Sequence, residues 1–433
     1  MPEKIIRDPV HDVIAFRLDK PAESLLYQLL NAAEFQRLRR IRQLGMASFA
    51  YPGADHSRYA HSLGVMETAR RMLGQLKQSF QVDQQDETVC LAACLLHDLG
   101  HGPFSHVFER ISGFDHESLT RRIVEDSKSE VHQILADHDA QLPALIAKFI
   151  GGEASRKFLG DILSSQLDAD RLDYLLRDNL MTGSRYGDYD LGWLLHALTI
   201  DDASGRLAVT WKGVSAVEAY LQARYHMYRN VYFHKLVRGA EGMVKLALQR
   251  AKRLAVQERL AWPLRDNVVY KSLLGQRLTI AEFTDLDDVS MLQCFKLWAS
   301  ADDAALAALC NGLLFRKVYK TIELTQVESA DLLARVVAAA EAVVQSGGGD
   351  AAYDLFLDLP DGLHTDTSPP NNNSTGDILV VDAHGKTTRF ATLSPLTNAL
   401  NQQLKFQRLH VAPQWSGQVV LAVARVLDGS SSD

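Results

Sequence analysis

Apolar positions recur every three or four residues along most of this chain, the spacing of helices buried on one face. Leu25, Leu26, Leu29 and Leu30 predict a helix over Ala22 to Ala33. Phe35, Leu38 and Ile41 predict a second over Glu34 to Leu44, strongly basic because Arg37, Arg39, Arg40 and Arg42 surround them. A third opens near His56 and runs to about Leu76. The run Val89 to Leu96 has no polar position at all and reads as a helix buried on every side. Residues 118–165 form further amphipathic helices, with Gly151-Gly152 between two of them. Leu167, Leu172, Leu175 and Leu176 supply the apolar face of another. Val214 to about Val256 is helical, with a break predicted near Arg238-Gly239.

Period-two alternation is confined to short stretches. Residues 4–18 alternate loosely and break at Asp8-Pro9, which predicts a strand or hairpin. Leu198-Thr199-Ile200 and Leu207 to Thr210, joined through Ser204-Gly205, predict a β-hairpin. From about residue 287 the composition shifts. Helices over Ser290 to Ala299, Asp303 to Leu313 and Ala330 to Gln345 mix with strands over Lys317 to Leu324, Ile378 to Asp382, Thr387 to Ala391 and Arg408 to Val411. A last helix is expected over Gln418 to Val426. Gly347-Gly348-Gly349 and Ser368 to Ser374 read as linkers or mobile loops. The fold class is therefore mainly α: a helical core with small β-hairpins over residues 1–285, and a smaller C-terminal α+β module over 286–433 with a flexible loop near 347–376.

A chain of 433 residues that is 47% hydrophobic can bury a large core. Its net charge of −7 implies no general affinity for nucleic acid or membrane. The first residues are charged and lack the apolar centre of a signal peptide, and no apolar run reaches membrane-spanning length. Cys90 and Cys94 fall in the apolar helix, where small buried hydrophobes are the simplest reading. These features suggest a cytoplasmic protein.

The chemistry gathers where the apolar helix ends, at His97-Asp98-Leu99-Gly100-His101-Gly102-Pro103-Phe104-Ser105-His106. An imidazole beside a carboxylate suits a divalent metal. His101 lies one turn beyond His97, on the same face if the helix continues, and Pro103 would restart the chain as a first-turn proline. Glu109 is close enough to His106 to hold its ring. Six of the fifteen histidines fall between positions 56 and 116, the last being His116 at the opening of a helix. His61, His97-Asp98 and Asp170, from three separate segments, would together bind one divalent ion (Mn, Fe, Mg, Zn or Ni) and leave positions open for water. Arg58 and Arg224 can balance phosphate charge, and His106 and His116 are left as general acids for a leaving alkoxide. The set suits metal-assisted hydrolysis of a phosphoester or phosphoanhydride. A Walker loop, a Gly-x-Ser-x-Gly elbow and a Cys-His nucleophile signature are missing from the sequence.

At these positions the chain resembles the HD-domain phosphohydrolases, whose four metal ligands match His61, His97, Asp98 and Asp170. The runs Phe35 to Arg39, Gln43-Leu44-Gly45, Tyr51 to Ala54, His61 to Val65, His97 to His106 and Asp170 to Asp178 resemble the dNTP triphosphohydrolases of the SAM-and-HD-domain type and their bacterial dGTPase-like relatives. The resemblance implies cleavage at the α-phosphorus, giving a deoxynucleoside and triphosphate. It implies that Arg58, His101, His106, His116, Arg171, Tyr174 and Arg224 hold or protonate the triphosphate, and that Gln43 and Asp178 hold the 3′-hydroxyl. It implies that Leu44 and Tyr232 crowd the 2′ position and exclude ribonucleotides. It also implies a homotetramer or homodimer and an activator nucleotide (dGTP or GTP) near Asn31, Gln36 and Arg39.

Two positions depart from that pattern. Arg171 stands where the best-known members carry Lys, and Asn31 where they carry an Asp that reads the guanine. The competing enzyme reading is an HD phosphodiesterase or nucleotidase acting on single-stranded nucleic acid or a signalling nucleotide. Nucleic acid is not otherwise indicated, since no long basic stripe is present. A nucleotide sensor without turnover would be favoured by a substituted ligand, and the ligand set is complete.

Overall fold

The computed structural model describes residues 3–359, 377–396 and 406–430, with the side chain of His106 outside the described part. It is mainly helical. The helix Gln84–Leu96 is at its centre: every residue from Thr88 to Leu96 is buried, which explains why its sequence has no polar stripe. Asp83 caps its start by accepting the Asp86 N–H at 2.8 Å. The helix Arg58–Leu76 packs against it and against a third helix, Ala169–Thr182. The third helix is capped by Asp168, which accepts the Arg171 N–H at 2.7 Å. This packing brings the first turn of one helix, the last residue of another and the first turn of the third to one place.

In the helical part the chain departs from several of the expected elements. The basic helix predicted over Glu34 to Leu44 ends early: helix Ala33–Arg37 passes into one 3₁₀ turn, Leu38–Arg40, and then an extended Ile41. The cause is Arg37, which is buried rather than surface-exposed. It donates to the carbonyls of Leu286 (2.8 Å from Nε) and Leu99, and stacks on Phe283. Second, the apolar helix ends at Leu96 with His97 as its cap, so His101 is not a helical neighbour of His97. Third, Pro103 lies in a turn and the next helix, His106–Ser112, begins after Phe104 and Ser105, both at positive φ. Fourth, the break expected near Arg238-Gly239 comes earlier. Helix Val214–Met227 passes into a π-helical turn, Tyr228–Tyr232, and helix Lys235–Val256 restarts with the His234 side chain as cap.

Gly100 is needed where the chain leaves the apolar helix. A Cβ there would fall on the carbonyl oxygen of His116 and within 2.7 Å of the Thr120 nitrogen, both backbone atoms of the helix His116–Glu125. Gly100→Ala is expected to force these segments apart. The expected cost is about 1–3 kcal/mol, read as a lowered denaturation midpoint.

The N-terminal hairpin pairs Glu3–Asp8 with Asp12–Arg17. The hairpin Leu198–Asp201/Arg206–Thr210 is present as predicted, but Leu379–Val381 adds to it in parallel and Thr387–Arg389 follows. A second sheet orders Lys320–Glu323, Arg408–Val411 and Leu355–Asp358, backed by helices Ala330–Ser346 and Ser416–Ser430. Gly347 and Gly349 do not form a loose linker. A Cβ at Gly347 would fall on the Trp415 ring, and one at Gly349 would meet Asp354, Val344 and Trp415 within 3 Å. Residues 360–376, which contain Ser368 to Ser374 and most of the expected flexible loop, lie outside the described residues.

Candidate active site

His61, His97 and Asp170 each place a ligand atom within 4.8 Å of the other two. His61 Nε2 is 2.9 Å from Asp170 Oδ1, and His97 Nε2 is 3.7 Å from the same oxygen. Asp98 closes the group, with Oδ1 3.3 Å from His97 Nε2 and Oδ2 3.9 Å from His61 Nε2. Both imidazoles are tied back through Nδ1: His61 donates to Asp173 Oδ2 at 2.9 Å and His97 to the Cys94 carbonyl at 2.8 Å. These bonds fix the tautomer and aim both Nε2 lone pairs inward. His97 Nε2 is buried and has no hydrogen-bond partner among the described residues. Two imidazole nitrogens and the Asp170 carboxylate around one point, with Asp98 beside His97 and one nitrogen otherwise orphaned, fit a divalent cation.

The electrostatics agree. Burial raises the pKa of Asp98 less than His97, Arg58 and His101 lower it, so it stays well below the usual carboxylate range. Burial likewise opposes ionised Asp170, but the nearby imidazoles of His61 and His97 outweigh it and hold it below the usual carboxylate range. Without a cation the site takes up a proton. Burial disfavours charge on His61, yet Asp170 and Asp173 push it up to about 10. A divalent ion would displace that proton.

A second group extends from Asp98. Asp98 Oδ1 is 3.3 Å from His101 Nε2, and Arg58 Nη1 pairs with Asp98 Oδ2 while its other nitrogens donate to Ser105 Oγ at 3.1 and 2.8 Å. His101 and His116 stack with ring centroids 4.0 Å apart. Glu109 Oε1 lies between them, 3.2 Å from His101 Nδ1 and 3.1 Å from His116 Nδ1. The expectation that Glu109 holds His106 concerns a side chain outside the described residues. Burial, helped by the Arg58 charge, lowers the pKa of His101, whereas at His116 the Glu109 carboxylate outweighs burial and raises it. The pKa values of the two stacked rings are thus shifted in opposite directions.

Asp178, Tyr232, Gln43 and Leu44 belong to a third group, which also includes His56. Asp178 is buried, with Oδ1 2.7 Å from His56 Nε2 and Oδ2 accepting from the Tyr232 hydroxyl at 2.8 Å. The Gln43 N–H donates to the His56 carbonyl at 3.0 Å, and Gln43 Oε1 is buried without a partner among the described residues. Leu44 is half-buried beside Ala47 and Ala54. Tyr174 connects this wall to the metal ligands, its ring 6.2 Å from Tyr232 and 6.4 Å from His61. Tyr232 ends the π-helical turn, a distortion that re-aims side chains.

The remaining cations differ in availability. Arg171 pairs with Asp168 and the Ser165 carbonyl. Arg224 donates to Gln166 Oε1 at 2.9 Å, and its buried Nε has no partner among the described residues. Gln36 and Arg39 meet at 2.8 Å on the surface, with Arg39 stacked on Tyr59. Exposed Asn31 bonds to the Tyr27 carbonyl at 2.8 Å. Sequence reasoning missed Asp173, His11, His56 and Ser105. Asp173 lies one turn after Asp170 on the same helix, a spacing that marked it as a second carboxylate at the site. His56 belongs to the histidine cluster and Ser105 to the run His97 to His106, but their partners, and that of His11, are 47 to 162 residues away and cannot be read from spacing.

This fold and ligand set define an HD-domain phosphohydrolase, a class that holds divalent metal on such side chains. The chain belongs to the HD-domain family: residues 58–178 match the HD domain model and residues 189–414 the HD associated region. It is 36% identical to the Bacillus subtilis protein YwfO over 85% of this chain and 82% of that one. It is 26% identical to a Dictyostelium discoideum homologue of the deoxynucleoside triphosphate triphosphohydrolase SAMHD1, over 80% of this chain and 66% of that one. A crystal structure of a Bacteroides thetaiotaomicron phosphohydrolase superposes with a TM-score of 0.81 at 28% identity, covering 95% of this chain and all of that one. Among the described residues, no helix is long and apolar enough to cross a membrane.

Proposed function

We propose that the protein is a metal-dependent deoxynucleoside triphosphate triphosphohydrolase, converting a dNTP and water to a deoxynucleoside and triphosphate. One observation carries this reading: the His/Asp cluster is flanked by a cationic and imidazole group (Arg58, His101, His116) on one side and a hydroxyl-reading wall (Asp178, Tyr232, His56) on the other. A dNTP offers the matching parts, with a polyanion and a sugar either side of the α-phosphorus. The SAMHD1-type relatives, named as enzymes of this reaction, support it further.

A divalent metal at His61, His97, Asp98 and Asp170 would lower the pKa of bound water from ~15.7 toward neutrality and polarise a phosphoryl oxygen. The chain's own groups do the rest. Arg58, with Arg224 and Arg171, neutralises the triphosphate. Tyr174 fills the space between phosphate and sugar. As the bond from α-phosphorus to O5′ breaks, His116 or His106 donates a proton to the leaving alkoxide. Asp178, with Gln43, accepts the 3′-hydroxyl. Leu44 and Tyr232 leave a 2′-hydroxyl neither room nor partner. An activator nucleotide at Asn31, Gln36 and Arg39 and a homo-oligomer belong to the same proposal, as does a cytoplasmic location.

The test is the product profile with Mn or Mg and mixed dNTPs, beside a parallel NTP mixture. Deoxynucleoside plus intact triphosphate is expected. Metal-bound protein that turns over no dNTP but cleaves cyclic nucleotides or short oligonucleotides would overturn the reading in favour of a phosphodiesterase. Tyr232→Ala is expected to raise NTP relative to dNTP kcat/KM by about tenfold or more, since excluding a small group is worth roughly 10–200-fold. An unchanged ratio would remove Tyr232 from the sugar wall.

A further inference from the structure

The loop of the N-terminal hairpin carries Asp8-Pro9-Val10-His11, a motif the reaction above does not use. It is no ordinary surface turn. The His11 side chain is 1% exposed although its hairpin lies at the edge of the fold. Asp8 Oδ1 accepts the backbone N–H groups of Val10 and His11 at 2.9 and 3.0 Å, fixing the loop from within. His11 Nε2 reaches Asp173 Oδ1 at 2.7 Å. Asp173 is fully buried and accepts His61 Nδ1–H on its other oxygen at 2.9 Å.

Arg177 completes the network. It donates from Nη1 and Nη2 to both oxygens of Asp8, at 2.7 and 3.1 Å. It also donates from Nε and Nη2 to both oxygens of Asp173, at 2.9 and 2.8 Å. Each Asp173 oxygen thus accepts two hydrogen bonds, one from Arg177 and one from a histidine. Gly64 leaves the space for this, because a Cβ there would collide with the Asp173 carboxylate and the Arg177 guanidinium. His11 Nδ1 is buried and has no hydrogen-bond partner among the described residues, so the ring's side-chain hydrogen bond is the one from Nε2 to Asp173.

We propose that the hairpin loop Asp8–His11 is a positioning element of the metal centre, with His11 acting through Asp173 to hold the His61 imidazole with Nε2 toward the cation. Arg177 alone clamps the Asp173 carboxylate along one edge. His11 supplies a second donor to Oδ1 and helps to keep the carboxylate from turning about its bond to Cβ. The orientation of His61 follows that of the oxygen it donates to. Partners of this kind around a metal-binding histidine are typically worth 10–100-fold in metal affinity. The inference rests on the metal-binding part of the proposed function and is independent of the substrate.

The experiment measures Mn affinity of the chelator-treated full chain by calorimetry, and the visible spectrum of the Co-loaded protein, which reports ligand geometry at the metal. His11→Phe fills the space without a donor and is expected to weaken Mn binding about 10–100-fold and shift the Co bands. His11→Gln, whose Nε2 donor has comparable reach, is expected to restore most of both. If His11→Phe fails to fold, His11→Asn replaces it: it is smaller, and its amide is too short to reach Asp173. Asp170→Ala is the control for the metal site itself; wild-type Mn affinity in that variant would refute the metal reading. Loss of binding in Asp170→Ala together with wild-type affinity and spectrum in His11→Phe or His11→Asn would overturn the proposal. So would an equal loss in the Gln variant, which would mean that His11 acts by packing alone.

Discussion

Asp170→Ala is expected to reduce hydrolysis by at least about 10³-fold while leaving the helical fold in place. Stabilisation of phosphoryl charge by a metal is worth several kcal/mol, and about 4 kcal/mol corresponds to a factor near 10³ in rate. Asp170 Oδ1 is the atom that both histidines approach, at 2.9 and 3.7 Å, so its removal opens one side of the ligand set. The helix that carries it should survive, because its cap is Asp168, which accepts the Arg171 N–H, and because the Asp170 side chain is one-third exposed. The measurement pairs bound metal per chain with the rate of triphosphate release, with far-ultraviolet circular dichroism as the check on folding. A variant that keeps metal and full activity would remove Asp170 from the centre. A variant that loses both while unfolding would show instead that the carboxylate is structural.

The residues proposed to hold the metal stand out in the sequence because each sits at a helix end, where the apolar period stops and a polar residue interrupts it. His97-Asp98 follows the longest unbroken apolar run, and Asp170 opens the helix built on Leu172 and Leu175. What the sequence hid were side chains whose roles depend on distant partners. Arg37 sits in a basic run, and four cations in six residues suggest a surface. Its carbonyl partner Leu286 lies 249 residues away, and burial there makes Arg37 a buried link between the core and the segment after residue 285. His11 lies 162 residues from Asp173 for the same reason. The early end of the predicted basic helix follows from such an override of local propensity by tertiary contacts. The π-helical turn at Tyr228–Tyr232 is hidden differently, since one extra residue per turn leaves the apolar spacing of the flanking helices almost unchanged.

The general acid gives the second large effect. His116→Ala is expected to lower kcat about 10²–10³-fold, within the usual range for loss of a positioned acid, with a smaller change in KM. Its expected signature is the pH profile. Burial disfavours the imidazolium of His116, but Glu109 at 3.1 Å outweighs burial and raises its pKa. An acid works only while protonated. Its contribution is therefore complete below the pKa of His116 and lost as pH rises through it, which gives the wild type an alkaline limb. The pKa of the stacked His101 is lowered by burial and by Arg58, the opposite direction from His116. Glu109→Gln removes the carboxylate that raises His116, leaving burial to dominate, so the limb moves to lower pH. The measurement is kcat from pH 5 to 9 for the wild type and both variants. A small loss in His116→Ala with the limb unmoved would transfer the acid role to His106. A limb that moves with Glu109→Gln and disappears in His116→Ala would assign the proton to His116.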